Sequence, residues 1–385
     1  MFLENTISEN RGLIETAFKF QKKGIILPDT FMIDLDTFLE NAKRIKVQAD
    51  LYGIGLYFMS KQFGRNPYLC NRLMELGYAG AVVVDYKEAL RMIEHNIHIG
   101  HIGHLVQIPK ALLKKILMAE PDYITIYSIE KALEINTICK ELNKVQKLML
   151  RVIGEQDFLY PGQYGGFSLE SLKEAVEHIQ LLEHVQIDGL TSFPCILYNS
   201  QKHQFEPTPN VETIQRAKVI LECMGIKVNQ INLPSATCSA SLSLIKQNGG
   251  NFAEPGHGLT GTTPYHSENQ TQEKPAMVYV TEVSHNVDGK AYCYGGGHYR
   301  RSHVSGALVG KSYEESKYMK VIPPMDENID YYFELDETAN VSDGVVMAFR
   351  AQVFVTRSDV AIVEGIASGN PKIVGTYNAL GIENK

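Results

Sequence analysis

A lysine stands at position 61, at the end of the predicted buried strand in the segment GLYFMSKQFGRNP. The six residues before it are mostly apolar or aromatic, so the pattern predicts an amine at the mouth of a folded core. Desolvation lowers the pKa of a lysine and raises the fraction of free amine, which Schiff-base chemistry with an aldehyde requires. Lys61 is therefore a candidate for covalent catalysis, and a surface lysine that opens a loop is the structural alternative.

Two later segments have the composition of an anion site. The segment LPSATCSAS places Ser235, Thr237 and Ser239 at the start of a predicted helix, where backbone amides also point at an anion. The segment NFAEPGHGLTGTTP offers unobstructed glycine amides and threonine hydroxyls, at Gly256, Gly258, Gly261, Thr260, Thr262 and Thr263. A helix N-cap is the structural alternative for the first set. Together the two segments predict a phosphate ligand.

The elements that would position these residues alternate between β-rich runs and amphipathic helix patterns. The eight strand candidates are IGLYFM, AGAVVV, IHIGHI, DYITIY, KLMLRV, VQIDGL, QINL and NFAE. Such βα repeats predict a parallel (β/α)₈ TIM barrel, with its functional residues at the carboxyl ends of the strands. Lys61 ends the first strand, and the two anion segments follow strands seven and eight, the usual phosphate site of such barrels. An open doubly wound sheet is disfavoured because no G-x-G-x-x-G turn follows the first strand.

Past Thr271 the sequence pattern changes to short runs of alternating apolar and polar residues, such as MVYVTEVSHNV and KAYCYGG, separated by turn residues. This pattern predicts a C-terminal all-β domain. We therefore expect three parts: an N-terminal segment over 1–35, the barrel over 36–270 and the β domain over 271–385. The FMIDL run of the N-terminal segment is expected to add a strand to the β domain.

The composition is that of an ordinary folded protein, with 44% hydrophobic and 21% charged residues. A balance of 37 basic against 44 acidic side chains gives no electrostatic footprint for nucleic acid or an anionic membrane. The six cysteines form no C-x-x-C pair, which favours a reducing compartment. Neither a secretory signal nor a membrane-spanning apolar stretch is recognisable. We expect a cytoplasmic protein with small-molecule partners.

The chain resembles the alanine-racemase-like group of pyridoxal-phosphate enzymes, whose fold is called type III. The resemblance rests on a lysine after strand one, a predicted phosphate site after strands seven and eight, and a C-terminal β domain. The resemblance covers nearly the whole chain from Phe31 onward, and it is closest to a branch of predicted amino-acid racemases without an assigned substrate. It implies pyridoxal 5'-phosphate as cofactor, an amino-acid substrate and a homodimer with shared active sites. The alanine racemase pattern Lys-Ala-Asn-Ala-Tyr-Gly-His is absent, since Gln62 to Asn66 follow Lys61.

The resemblance implies cofactor contacts residue by residue. Lys61 takes the place of the cofactor-linking lysine, and Arg151, in RVIGEQDFLYPGQYGGF, lies near the cofactor's phenolic oxygen. Ser192, in LTSFP, stands where a histidine usually stacks on the ring, which leaves Phe193 or another residue as the stacking partner. The contacts implied for the phosphate are at Ser235, Thr237, Gly256, His257 and Gly258.

Glu254 falls where family members contact the pyridine nitrogen of the cofactor. Alanine racemases have an arginine there, whereas the related decarboxylases have a Glu-Pro-Gly like this one. A carboxylate stabilises the protonated pyridinium, so that the ring absorbs an adjacent carbanion. Glu254 therefore implies a quinonoid-forming site compatible with racemisation, decarboxylation or elimination. A carboxylate that caps the following turn is the structural alternative.

Racemisation also needs a proton donor on the cofactor face opposite Lys61. In this family that group usually comes from the β domain of a partner subunit. In the stretch CYGGGHYRRSH, a flexible glycine turn is followed by His298 and Tyr299, our catalytic candidates, although a glycine-rich hairpin with exposed aromatics is the simpler interpretation. Further candidates, for the proton or for a substrate carboxylate, are Cys195, Cys238, Arg300 and Arg301.

Histidines recur at positions 95, 98, 101 and 104. Because the faces of a strand alternate with period two, these imidazoles cannot all converge while IHIGHI is a strand, and no metal site is predicted. His104 alone fits a cofactor pocket. Metal-dependent D-threonine aldolases and D-serine dehydratases of this fold want a C-terminal His-x-Cys or His-x-Asp pair, and no histidine follows His303. Their chemistry is disfavoured.

The leading hypothesis is a pyridoxal-phosphate-dependent amino-acid racemase or epimerase, with the Schiff base on Lys61 and α-proton transfer through a quinonoid. A decarboxylase or lyase of the same fold is the alternative at the same site, supported by Glu254. A non-catalytic protein that binds pyridoxal phosphate for its homeostasis is a third hypothesis. The large predicted β domain disfavours it, because the single-barrel relatives suspected of that role lack such a domain.

Overall fold

The computed structural model describes residues 2–268, 271–325 and 327–384. Within them the α-helices are α1 (Phe2–Glu9), α2 (Arg11–Lys22), α3 (Leu35–Tyr52), α4 (Pro67–Glu75), α5 (Tyr86–Glu94), α6 (Leu113–Met118), α7 (Ile129–Glu141), α8 (Leu169–Gln180), α9 (Pro209–Cys223), α10 (Leu242–Gln247) and α11 (Pro264–Glu268). The strands of the same residues are β1 (Thr30–Asp34), β2 (Gly55–Met59), β3 (Gly80–Val83), β4 (Ile99–Ile102), β5 (Tyr123–Ile126), β6 (Gln146–Ile153), β7 (Phe167–Ser168), β8 (Val185–Thr191), β9 (Ile196–Asn199), β10 (Gln204–Pro207), β11 (Gln230–Asn232), β12 (Phe252–Ala253), β13 (Met277–Val287), β14 (Lys290–Tyr294), β15 (Gly306–Gly310), β16 (Lys317–Ile322), β17 (Tyr332–Leu335), β18 (Gly344–Met347), β19 (Asp359–Glu364) and β20 (Lys372–Asn378).

The chain divides into two compact units. The barrel unit comprises residues 45–60 and 67–256. The β unit comprises residues 1–44, 61–66 and 257–385. None of the helices in the described ranges combines the length and apolarity needed to cross a bilayer.

Eight parallel strands close the barrel unit in the order β5-β4-β3-β2-β12-β11-β8-β6, and β6 pairs with β5 to complete the ring. Strands β3, β4 and β5 are buried along their whole length, as expected for strands covered on both faces. Polar side chains cap the helices that follow, for example Asp85 before α5 and Ser128 before α7. The predicted (β/α)₈ barrel is confirmed, and its strands match the eight predicted runs.

The β unit is built around the long strand β13. The first half of β13 pairs with β1 and β18, and its second half pairs with β14. Strands β14, β17, β16, β15 and β18 continue from there in antiparallel order back to β13, so that six strands form a closed ring. The predicted C-terminal all-β domain is confirmed. Strand β1, which contains most of the FMIDL run, also pairs in parallel with β19.

Helices α1 and α2, which were not predicted from the sequence, cover one face of the β unit. Their buried side chains, among them Leu13, Ile14 and Phe18, share a core with Met32 and Val278 of the sheet. The side-chain oxygen of Asn10 caps α2 by accepting from the Leu13 amide. The domain boundaries at residues 35 and 270 stay predictions.

Candidate functional site

A buried carboxylate lies at the carboxyl end of the barrel strands. Glu254 follows β12 directly, and its side chain is only 2% exposed. Its Oε1 atom accepts from His101 of β4, whose Nδ1 is 2.9 Å away, and from the Nδ2 amide of Asn232, the last residue of β11, at 2.6 Å. Both bonds end at Oε1, so Oε2 accepts no hydrogen bond from the described part of the chain. One edge of the carboxylate is therefore fixed by the protein, and the other edge is available to a ligand.

The imidazole of His101 is held at both nitrogens. Its Nε2 lies 2.5 Å from the hydroxyl oxygen of Thr125, on the neighbouring strand β5. Because a carboxylate only accepts hydrogen bonds, the hydrogen between His101 and Glu254 belongs to Nδ1. We name the four side chains His101, Thr125, Asn232 and Glu254 the apical network.

The four spaced histidines of the sequence do not converge. The ring centroid of His104 lies 5.1 Å from that of His101, whereas the Nε2 atom of His98 pairs with Oδ1 of Asp122 at 2.9 Å. Among residues 2–268, 271–325 and 327–384, no cluster of three or more His, Cys, Asp or Glu side chains has the arrangement of a metal site.

Arg151 is fully buried in β6. Its Nη1 donates to the Tyr127 hydroxyl at 2.6 Å, and its Nη2 donates to the Gln163 carbonyl at 2.7 Å. The third nitrogen, Nε, is buried and has no hydrogen-bond partner within the described residues. Burial raises the pKa of Tyr127, and the adjacent guanidinium opposes that rise. An unmatched donor on a buried cation fits an oxygen acceptor supplied by a ligand.

The turn after β11 is arranged like an anion cradle. Ser235 and Ala236 have φ angles of 97° and 48°, both in the left-handed region that non-glycine residues seldom adopt. The hydroxyl oxygen of Ser235 is buried without a partner among the described residues. The Thr237 hydroxyl oxygen accepts from the Glu254 amide at 3.3 Å, so its hydrogen remains available for donation. Strain combined with unmatched hydroxyl donors fits a phosphate or a similar anion.

Ser192 is fully buried at the end of β8. Its hydroxyl oxygen accepts from Nδ2 of Asn210 at 3.1 Å, so a packing partner already occupies it. The neighbouring ring of Phe193 lies edge-on to His104, with centroids 5.6 Å apart. An aromatic face and an imidazole thus lie together at this strand end, where the sequence offered only a serine.

The predicted residues that belong to the β unit include the lysine. Lys61 lies in the 3-10 turn Ser60–Phe63, immediately after β2, and is half-buried. His257 is buried, and its Nε2 accepts from Nε of Arg350 at 3.1 Å. Burial first, then the charges of Arg350 and Lys61, hold the pKa of His257 well below its usual value. His257 is therefore a neutral hydrogen-bonding group at physiological pH. The carbonyl of Gly258 accepts from the Gly261 amide at 3.2 Å, which closes the turn.

The glycine stretch before His298 is an ordered turn. The carboxylate of Asp330 accepts from the amides of Gly296 and His298, at 3.1 and 2.8 Å. The Tyr299 hydroxyl and the His298 Nδ1 are buried, and neither has a hydrogen-bond partner in the described ranges. Burial lowers the pKa of His298. Each of the two predicted acid/base groups therefore has one polar atom without a hydrogen-bond partner among the described residues.

His101, Thr125 and Asn232 were not predicted as site residues from the sequence. His101 and Thr125 are polar residues in the mostly apolar strands IGHI and YITI, and Asn232 ends the strand QIN. That signal was visible in the sequence. Their convergence was not, because it depends on which strands are neighbours around the ring.

Two sequence families match the chain. The profile of the family described as "Alanine racemase, N-terminal domain" matches residues 33–264. The profile described as "YhfX-like, C-terminal domain" matches residues 278–373. One curated relative, named "Uncharacterized protein YhfX" of Escherichia coli (strain K12), is 44% identical over 382 residues, which are 99% of each chain.

Solved structures show the same fold. An alanine racemase of Clostridium difficile 630 in complex with cycloserine is 16% identical, covers 92% of this chain and 99% of its own, and has a TM-score of 0.65. The D-threo-3-hydroxyaspartate dehydratase from Delftia sp. HT23 is 14% identical, with coverages of 90% and 97% and a TM-score of 0.67. The D-threonine aldolase from Filomicrobium marinum is 13% identical, with coverages of 92% and 94% and a TM-score of 0.63. At these identities the likeness concerns the fold, which serves several reactions.

Proposed function

The chain belongs to the alanine-racemase-like family of fold type III pyridoxal-phosphate enzymes, and from that premise we propose that it is an amino-acid racemase or epimerase. The observation that carries the proposal is the buried Glu254, with Oε1 fixed by His101 and Asn232 and Oε2 available. A carboxylate in this position suits a protonated ring nitrogen, which is the form of the cofactor that withdraws electrons most strongly.

The residues of the barrel unit fit the cofactor in charge and in hydrogen-bonding capacity. The unpartnered Ser235 hydroxyl and the available hydrogen of Thr237 suit its phosphate group. The unpartnered Nε of Arg151 suits an oxygen acceptor such as the phenolic oxygen. We assign the backbone of Gly256 and of Gly258, and the neutral His257, to the phosphate as well. Ser192 is proposed to contribute through its backbone and shape, since Asn210 already occupies its hydroxyl.

When bound, pyridoxal phosphate withdraws electrons from the α-carbon of an amino acid and thereby makes its proton easier to remove. We assign to the amine of Lys61 the covalent attachment of the cofactor aldehyde, and the movement of the α-proton on one face. Inversion needs a second acid/base on the opposite face. Tyr299 or His298 of a second copy of the chain is proposed for that role, which makes the active unit a homodimer.

Reconstitution with pyridoxal phosphate tests the cofactor assignment. The wild-type protein should develop a visible absorption band, and borohydride should fix the cofactor onto the peptide that contains residue 61. Lys61→Ala should lose both. Lys147→Ala is the matched control, because Lys147 lies near the amino end of β6 and pairs with Asp188 at 3.3 Å. A reduced adduct on another lysine, or a band that survives in Lys61→Ala, would refute the assignment.

Incubation with L- and D-amino acids in deuterated water separates the reactions. Exchange of the α-proton with inversion supports racemisation. The same-site alternative, a decarboxylase, is favoured by the Glu-Pro-Gly sequence at Glu254, and it predicts release of carbon dioxide. A lyase predicts an oxo acid or an aldehyde product. Cofactor binding without exchange or product throughout the panel would favour the non-catalytic hypothesis.

A further inference from the structure

We propose that His101 is a positioning residue for Glu254: through its Nδ1 hydrogen it fixes Oε1, so that Oε2 is the edge presented to the ring nitrogen. This inference rests on the proposed function and deepens it, because it names the residue that sets the charge state of the bound cofactor.

Burial makes the contact energetically important. The side chain of His101 is fully buried and that of Glu254 is 2% exposed. A buried carboxylate is costly unless donors satisfy it, and otherwise its protonated form is favoured. Asn232 supplies a neutral donor at 2.6 Å, and His101 supplies the second donor at 2.9 Å. Removing one of the two donors leaves Oε1 less well satisfied and less firmly held, which weakens the contact that Oε2 offers to a pyridinium.

Geometry gives the contact its direction. The bond from Thr125 to Nε2 of His101 fixes the orientation of the imidazole plane. With that plane fixed, Nδ1 meets Oε1 and leaves Oε2 without a donor. A proton shared between Oε2 and a ring nitrogen then depends on the hydrogen bond at Oε1, because electron density withdrawn from one carboxylate oxygen lowers the basicity of the other.

The residue just before the same strand, His98, supplies a matched control. His98 lies three residues before His101, and its ring also pairs with a carboxylate at 2.9 Å, that of Asp122. This pair lies at the amino end of the strands and is partly exposed, with side chains 37% and 39% accessible. Replacing a histidine that contributes only to stability, as we expect of His98, would leave the protonation of the cofactor's ring nitrogen unchanged. Replacing a positioning residue would change that protonation.

The test reads the protonation of the ring nitrogen by ¹⁵N NMR, in protein loaded with ring-labelled pyridoxal phosphate, as a function of pH. In His101→Leu we expect the ring nitrogen to lose its proton about one pH unit lower than in the wild type, since a hydrogen bond to a charged group has that order of free energy. His101→Asn carries an amide nitrogen near the place of Nδ1 and should restore most of the shift. His98→Leu should match the wild type, and Glu254→Gln should show the largest change.

A second measurement does not depend on the variants folding. In wild-type protein labelled with [¹⁵N]histidine, the NMR chemical shift of the Nδ1 proton of His101 should change when pyridoxal phosphate is added. The chemical shifts of the His98 ring should stay the same. A His101→Leu protein that binds cofactor with an unchanged ring-nitrogen titration overturns this inference and leaves the proposed function standing. An unchanged chemical shift of the His101 Nδ1 proton on addition of pyridoxal phosphate has the same consequence. A wild-type protein that binds no pyridoxal phosphate overturns both.

Discussion

The two ends of the barrel strands have similar side chains but differ in how completely these are paired. At the amino end lies the basal network, which we define as Tyr57, His98, Asp122, Tyr123, Lys147, Asp188, Asn229 and Gln230. There the Tyr123 hydroxyl donates to Asp188 at 2.5 Å, and Asn229 donates to the same carboxylate at 2.5 Å. Nearly every polar group has a partner, with the Gln230 amide nitrogen as the exception within the described residues.

The carboxyl end has the same kinds of groups but leaves polar atoms unmatched. The buried Nε of Arg151, Oδ1 of Asn232 and Oγ of Ser235 all lack a hydrogen-bond partner in the described part of the molecule. Buried polar atoms in folded proteins are normally paired, so a cluster of exceptions marks a place where a ligand completes the bonding. Pairing within the protein stabilises one end, and incomplete pairing leaves the other end with polar atoms that suit a ligand.

The largest difference between the two ends should be in catalysis. In Glu254→Gln we expect the rate of α-proton exchange to fall about 100-fold or more, the order of effect of a lost charged partner of the reacting system. In Asp188→Asn the exchange rate should stay within about twofold while the free energy of unfolding falls, because that carboxylate accepts bonds only from the protein. Deuterium incorporation and urea unfolding measure the two quantities. Equal losses of the exchange rate in both variants would contradict the assignment of catalysis to the carboxyl end and of stability to the amino end.

The second largest difference between the two ends of the barrel should be in the affinity for the cofactor. Ser235→Ala should raise the dissociation constant of pyridoxal phosphate about tenfold, since a hydrogen bond to a charged group contributes about 1.5 kcal/mol. Stability of the cofactor-free protein should be unchanged, because the hydroxyl has no partner to lose among the described residues. Asn229→Ala should show the reverse pattern, a weaker fold and unchanged affinity. Titration calorimetry and unfolding curves check both variants, and a destabilised Ser235→Ala protein would show that the hydroxyl has a partner within the protein and would contradict its assignment to the phosphate.

The basal network should also give a pH-dependent stability. Burial opposes the ionisation of Asp188, but hydrogen bonds from Tyr123, Asn229 and Lys147 together lower its pKa. A lowered pKa stabilises the fold above the unfolded-state value of about 4, and this stability is lost as the pH falls through the folded-state value. Tyr123→Phe should therefore reduce the free energy of unfolding by about 1 kcal/mol at neutral pH and by less in acid. Unfolding series at several pH values measure it, and a pH-independent difference would contradict the mechanism.

The smallest effect should come from the partly exposed pair of His98 and Asp122. The hydrogen bond that His98 donates to the Asp122 carboxylate raises the pKa of His98. A raised histidine pKa stabilises the fold fully below the unfolded-state value of about 6.5, and this stability is lost as the pH rises through the folded-state value. His98→Gln should lower the free energy of unfolding by less than about 1 kcal/mol, and only at acidic pH. A loss that persists at pH 9 would instead indicate packing.

Much of the fold was predictable because its signals are local. The eight barrel strands and the long strand β13 follow apolar runs or alternation that a few residues determine by themselves. Helices α1 and α2 were missed because their apolar stripes are short, and the sheet of the β unit supplies the surface that they cover. Strands β15, β16 and β20 were also missed, because glycine and lysine residues interrupt the apolar pattern of GALVG, KYMKVI and KIVGTYN.

The sequence by itself determined the order of the elements and placed Lys61, Ser235 and Glu254 next to strand ends, because the alternation of strands and helices is a local property of the chain. Only the tertiary structure decided what surrounds Glu254. His101 and Glu254 are 153 residues apart, and they meet because closure of the ring brings the ends of β4, β11 and β12 to one end of the barrel. Which polar atoms remain unmatched there depends on that closure, since each hydrogen bond requires two side chains from different strands to arrive within about 3 Å.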